Sequence, residues 1–174
     1  MDFWQVIETR RSVRGFDPTV EVTPDEVEQL LHAAIAAPSA GNRQPWHYYI
    51  VRNPKVRQGL AGAAYGQSFV AEAPVTIVVC VDAEQSAARY GQRGRELYCL
   101  QDTAAAAEHI LLAAVALGFG GCWVGAFDEG RAARVLDLPD HLRPVAILPI
   151  GRPAAEQDTR TSRRPLGAVA SFVE

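Results

Sequence analysis

The stretch Thr9-Arg10-Arg11-Ser12-Val13-Arg14-Gly15-Phe16 places three guanidinium groups and a hydroxyl within five consecutive residues near the amino terminus. Arginine forks match phosphate oxygens through paired, charge-assisted hydrogen bonds, so this spacing suits an anionic group. A solvated basic patch, or surface ion pairs with nearby acids, would account for the same residues. β-Branched Val13 and then Gly15 argue for extended backbone soon after Arg10. Alternation along such a segment sends Arg10, Ser12 and Arg14 to one side and Arg11 and Val13 to the other.

Two more polar clusters stand apart from this one. Pro38-Ser39-Ala40-Gly41-Asn42-Arg43-Gln44-Pro45-Trp46 is too rich in amides and hydroxyls for a core, and Gly151-Arg152-Pro153 closes an apolar run. Cationic forks, amide donors and exposed glycine backbone together are what a phosphorylated heteroaromatic cofactor requires. Other chemistries lack their motifs: the chain has no G-x-x-x-x-G-K-[ST] loop, no G-x-S-x-G elbow and no H-E-x-x-H. Gly118-x-Gly120-Gly121 follows a helical pattern rather than a strand, so it reads as a helix C-cap and not a dinucleotide fingerprint. The histidines show no ligand spacing. Cys80, Cys99 and Cys122 sit in apolar surroundings without C-x-x-C spacing, which predicts buried free thiols in a reducing compartment.

At 174 residues and 48% hydrophobic, the chain is sized for a single domain over 1–174. A net charge of -3 argues against general nucleic-acid binding. No signal core or membrane-spanning run is evident, so a soluble, cytoplasmic protein is expected.

The elements that must position these clusters follow from pattern. Residues 2–8 predict a short helix. Thr23-Pro24-Asp25-Glu26 is a capping box with proline at the first helical position, and Val27, Leu30, Leu31, Ala34 and Ile35 mark the buried face of the helix it opens. Residues 47–52 read as a strand, 55–64 as a helix and 67–72 as a helical turn. Residues 74–82, nearly continuous Val and Ile, predict a central strand buried on both faces. Residues 83–94 read as a loop, with Tyr90, Arg93 and Arg95 as candidates for a substrate lid. Residues 96–117 predict the longest helix, apolar on nearly every face and packed closely on another helix, within the chain or across a subunit interface. A strand or extended edge over 122–127, a helix over 128–136 capped by Asp128, and a strand over 143–150 complete the pattern. The tail from 154 onward, with apolar Leu166, Val169 and Phe172, has no evident partner in so small a domain and is expected to fray or to wrap a neighbour.

In this order, R-R-S-x-R, P-S-A-G-N-R-Q-P-W, G-C-W-V-G-A after an Ala-rich helix, and a final G-R-P resemble the FMN-dependent nitroreductase family, in its compact branch. The resemblance runs from about Phe3 to the tail. It implies an α+β, three-layer fold with a central mixed, mostly antiparallel sheet flanked by helices, and a homodimer with an exchanged C-terminal arm. It also implies bound FMN, with NADH or NADPH as hydride donor and a small-molecule electron acceptor. Among site residues it implies Arg10 and Ser12 at the phosphate and ribityl end, Arg14 near the flavin pyrimidine edge, and Arg152 at the phosphate. Arg11 belongs to the motif but points elsewhere. Pro38, Ser39, Gly41 and Asn42 match a loop that reaches the flavin of the other subunit, and Val124 and Gly125 match the backbone beside its hydride-accepting nitrogen. For the family's further polar contact from the region after the first strand, the sequence offers only Gln67 and Ser68. No catalytic side chain is required, because the cofactor carries the redox chemistry and the protein positions and tunes it.

The function so implied is ping-pong reduction of nitroaromatics, quinones or similar acceptors at the expense of NAD(P)H. A specialised branch performing dehalogenation or flavin fragmentation, and a flavin-binding protein without turnover, are the alternatives.

Overall fold

The computed structural model describes residues 1–154 and 161–173. Four strands form the central sheet: β1 (Trp46–Val51), β2 (Val75–Asp82), β3 (Gly120–Gly121) and β4 (Leu142–Gly151), in the order β1-β2-β4-β3. All neighbouring strands are antiparallel, with Tyr48 opposite Val79, Ile77 opposite Leu148 and Gly120 opposite Gly151. A one-residue bridge between Ser12 and Gly121 is the sole parallel pairing among the described residues. The expected mixed sheet is thus antiparallel in its four strands.

β2 is buried at every position from Val75 to Val81, as its unbroken β-branched run predicts. Its residues divide the core into two. Val75, Ile77 and Val79 face a layer built on α2 (Pro24–Ile35) and α6 (Cys99–Ala116), where Leu30, Ala34, Ile110 and Ala114 are buried. Val78 and Cys80 face the other layer, formed by α3 (Pro54–Ala63), α4 (Phe69–Glu72) and α7 (Glu129–Leu136). The three layers are therefore helix, sheet, helix.

Local signals account for most boundaries. Thr23 and Glu26 form the capping box at α2, Asn53 caps α3 through the Lys55 and Val56 amides, and Asp128 accepts from the Arg131 amide at 2.8 Å to start α7. α6 ends where Gly118 takes φ 82°, with the Phe119 amide donating to Ala114. All three cysteines are buried free thiols.

Two expectations fail. Residues 83–94 are not a loop: α5 (Ala83–Arg93) is a helix capped by Asp82, whose carboxylate accepts from the Glu84 and Gln85 amides. Gly91, with φ 57° and ψ -140°, kinks it rather than preventing it, and a π-turn over Gly94–Tyr98 leads into α6, which starts at Cys99. Ile35, the last residue of α2, is exposed rather than part of the buried face.

The outer face of α6 is only half-buried in the single chain. Leu112, Ala113 and Ala116 join Phe3, Val6 and Ala33 in lining an apolar groove. In the tail, Leu166, Val169 and Phe172 are exposed around a short 3-10 turn over Leu166–Ala168.

Candidate active site

The basic segment is held by what flanks it. Asp2 caps α1 (Phe3–Thr9) in a reciprocal box with Gln5, and the backbone leaves the helix at Arg10 with ψ 124°. Val13 then donates its amide to the Gly121 carbonyl at 2.9 Å and buries its side chain. This close approach requires glycine on β3: a Cβ at Gly120 would stand 2.5 Å from Val13 Cγ2. The neighbouring chain is tied in the same way. Asp17 donates to the Arg152 carbonyl at 2.8 Å, and Ala154 to the Gly15 carbonyl at 3.1 Å. Three motifs distant in sequence, 10–14, 120–125 and 151–153, thereby meet at one edge of the sheet.

A cavity of about 690 Å³ opens at this edge, walled by Arg10, Arg11, Ser12, Arg14, Thr161 and Arg163, with Glu8 the one acid among the described residues of its lining. Arg10 lies 3.5 Å from Glu108 on α6. Arg14 sits 5.9 Å over the Phe69 ring. Burial pushes the Cys122 thiol above its ordinary pKa, opposed by the charge of Arg14 and by hydrogen bonds with Ser12 and Arg14. Cys122 thus stands directly behind the Ser12 and Arg14 face. Arg11 reaches the rim of this cavity but also lines a smaller one of about 130 Å³ with Val13, Gly118, Phe119 and Pro153, and its Nε is buried without an acceptor. Val13 thus lines only the smaller cavity, but Arg11 lines both, so it is not fully separated from the Arg10, Ser12 and Arg14 face as strict alternation would have it.

Val124 continues this edge, exchanging both backbone hydrogen bonds with Ile147 at 2.9 and 3.0 Å, and Gly125 is exposed beside it. Gln67 donates its side-chain amide to Ala64 at 3.0 Å and to Ala126 at 3.2 Å, which secures the 65–68 turn against the 124–126 segment.

The remaining candidates stand elsewhere. The Arg152 guanidinium lies 5.5 Å over Phe119, near Gly118, and does not line the cavity. Arg163 does line it, a residue that sequence reasoning passed over although the Arg163-Arg164 pair in the tail was the available signal. Pro38, Ser39, Gly41 and Asn42 are also outside that wall. Their loop is fixed to the other side of α6: the Ala40 amide donates to Asp102 at 3.1 Å, Gln44 donates to Ser39 Oγ at 3.0 Å, and Arg43 and Gln85 exchange side-chain to carbonyl bonds of 2.8 and 2.6 Å. Asp102 and Glu108 are six residues apart, about 9 Å along the axis of α6 and about 120° around it, so the loop and Arg10 occupy different faces of one helix. Gly41, Asn42 and Gln44 all have positive φ, the left-handed conformation of a tightly turned loop.

Of the lid candidates, Arg95 is clamped to Glu84 by two bonds of 2.7 and 2.6 Å, and Arg93 donates to the Tyr98 hydroxyl at 2.9 Å. Among the described residues no group of His, Cys, Asp and Glu could hold a metal, and no helix is long and apolar enough to cross a membrane.

The chain is a three-layer α+β protein with an arginine-walled cavity at one edge of its sheet, a donor set whose chemistry suits an anionic group. The model of the nitroreductase family matches residues 7–68 and 61–152. A putative NADH dehydrogenase/NAD(P)H nitroreductase of Methanothermobacter thermautotrophicus is 34% identical over 92% of this chain and 82% of its own length. The NADPH-dependent FMN reductase of Bacillus subtilis is 29% identical over 86% of this chain and 65% of its own length. The crystal structure of a nitroreductase family protein from Clostridium novyi superposes with a TM-score of 0.79 at 34% identity, covering 88% of this chain and 86% of that one. The chain belongs to the nitroreductase family and is related to oxidoreductases.

Proposed function

We propose that the chain, over 1–174, is one FMN-binding unit of a cytoplasmic homodimer that oxidises NADH or NADPH and reduces quinones, nitroaromatics or similar acceptors. The observation that carries this reading is the cavity lined by Arg10, Ser12, Arg14 and Arg163, whose Ser12 pairs with Gly121 on the strand that leads to Val124 and Gly125. The residues fit the group: among the described residues of the lining, several guanidinium forks and hydroxyls stand against one carboxylate, Glu8, which suits a phosphate dianion. Bound FMN would supply the redox step, accepting hydride from the nicotinamide and passing it to the acceptor.

The chain's own residues then bind and orient. Arg10 and Arg163 take the phosphate, and Ser12 the ribityl chain. Arg163 assumes the late basic role that the resemblance assigned to Arg152, since Arg152 lies over Phe119. Arg14, held over Phe69, presents a fixed positive charge where a reduced ring system gathers negative charge, which favours that state. Val124 and Gly125 form the floor beside the reacting face. Pro38, Ser39, Gly41 and Asn42 serve the site of a second copy, which accords with their place on the far side of α6. The half-buried face of α6 and the exposed Leu166, Val169 and Phe172 supply apolar surface for that copy.

The test is direct. Purified protein reconstituted with FMN should be yellow, with one FMN per chain, and should bleach on anaerobic addition of NADH or NADPH and recolour with a quinone. Absence of flavin after reconstitution overturns the reading. A yellow protein that neither nucleotide bleaches leaves flavin binding without turnover.

A further inference from the structure

The segment that sequence alone suggests as a loop carries an ordered basic and aromatic cluster that the FMN contacts do not use. Tyr90 on α5 and Tyr98 in the π-turn meet edge to face, ring centroids 5.2 Å apart and planes at 82°. Arg89 lies 5.5 Å over Tyr90, and Arg93 lies 5.3 Å over Tyr98 while its Nε donates to that ring's hydroxyl. The two guanidiniums thus flank one ring pair, and the kink at Gly91 between them permits it. Both arginines are exposed, and among the described residues neither is paired with an acid. The acids of the same segment are already committed: Glu84 to Arg95, and Glu96 to the Gln92 amide at 2.9 Å. Ring contacts restrain the two forks before any ligand arrives, which lowers the ordering cost of binding.

This cluster adjoins the 39–42 loop. A Cβ at Gly41 would collide with the Tyr90 hydroxyl and stand 3.2 Å from Arg89 Nη1. On the reading proposed above, that loop borders the flavin of the second copy, so the cluster forms the rim of the pocket through which both substrates enter. We infer that Arg89 and Arg93 hold the adenosine 2′-phosphate of NADPH, and that the enzyme selects NADPH over NADH. Two restrained forks that form no ion pair among the described residues match a phosphate dianion, whereas NADH presents only hydroxyls at that position. A guanidinium plane is also a stacking surface for the adenine beside it.

The experiment uses the FMN-loaded protein, a saturating quinone, and the variants R89A, R93A and R89A/R93A, with FMN content and melting temperature recorded for each. The wild type should show a kcat/KM for NADPH about tenfold or more above that for NADH. The double variant should lose that preference mainly through the KM for NADPH, with NADH changed less than about twofold and FMN content unaltered. Equal use of NADH and NADPH by the wild type, or an NADPH preference that survives the double variant, overturns the inference while leaving the oxidoreductase reading intact. Calorimetric titration of the FMN-loaded protein with 2′,5′-ADP and with 5′-AMP tests the same contact without turnover. Tighter 2′,5′-ADP binding that disappears in R89A/R93A supports the site even if neither nicotinamide nucleotide is oxidised, a result that defeats the proposed function alone. Equal binding of the two in the wild type refutes the site.

Discussion

Replacing Arg10 by alanine should separate the two faces of the basic segment. Arg10 lines the cavity, and its loss removes a charge-assisted phosphate contact of about 1.5–3 kcal/mol. Its side chain is 24% exposed and stands 3.5 Å from Glu108, so part of its charge is already balanced. That partly exposed pair is worth about 0–1 kcal/mol, which places the net effect near about 2 kcal/mol, or roughly a 30-fold rise in the Kd for FMN. Arg11 directs itself partly to the smaller cavity at Gly118 and Phe119, and its buried Nε meets no acceptor. Arg11→Ala should therefore weaken FMN by less than about fivefold, a loss of under about 1 kcal/mol. Titration of apoprotein with FMN, followed by quenching of flavin fluorescence at one fixed ionic strength, measures both. Equal losses in R10A and R11A would refute the assignment of the main phosphate contact to Arg10 rather than Arg11.

With NAD(P)H and a quinone both varied, reciprocal plots should be parallel, and intersecting lines would mean that both substrates occupy the pocket together. Deleting the chain after Arg164 removes the exposed Leu166, Val169 and Phe172 but keeps Arg163, so sedimentation should show a weaker dimer together with loss of FMN; a micromolar monomer that retains FMN contradicts the shared site. Gly120→Ala drives a methyl into Val13, 2.5 Å away, and should lower stability by about 1–3 kcal/mol by chemical denaturation. Burial raises the Asp102 pKa, against the hydrogen bond from Ala40, so the folded state holds this proton more tightly than the unfolded chain. The stability difference between wild type and D102N should accordingly be most favourable to the wild type below the ordinary carboxylate range and should decline as pH rises through the raised value; a pH-independent difference would sink that account.

Signals confined to a few neighbouring residues were legible in the sequence. The Thr23 and Asp128 caps, the glycine stop after α6, and the doubly buried β2 all rest on hydrogen bonds or burial patterns within one element. α5 was obscured because Gly91 and its polar neighbours look like a loop, whereas the cap at Asp82 and the Arg95 to Glu84 clamp stabilise a kinked helix. That clamp spans the break, and no window of local pattern contains it.

The order of motifs was likewise enough to identify the family and to name most of the basic wall, since the types and alternation of residues 10–14 carry the chemistry of an anion site. Which late arginine joins that wall was a matter for the tertiary structure alone. Arg152 and Arg163 are equally basic in sequence, but the pairing of Phe16 with Pro153 and the Asp17 to Arg152 backbone bond hold residue 152 in the ladder, where its guanidinium falls over Phe119. The tail returns Thr161 and Arg163 to the mouth of the cavity. Likewise, only packing shows that the 39–42 loop and the arginine wall lie on different faces of α6. Composition can specify which groups bind an anion, but their convergence depends on hydrogen bonds between segments more than a hundred residues apart, such as Val13 to Gly121.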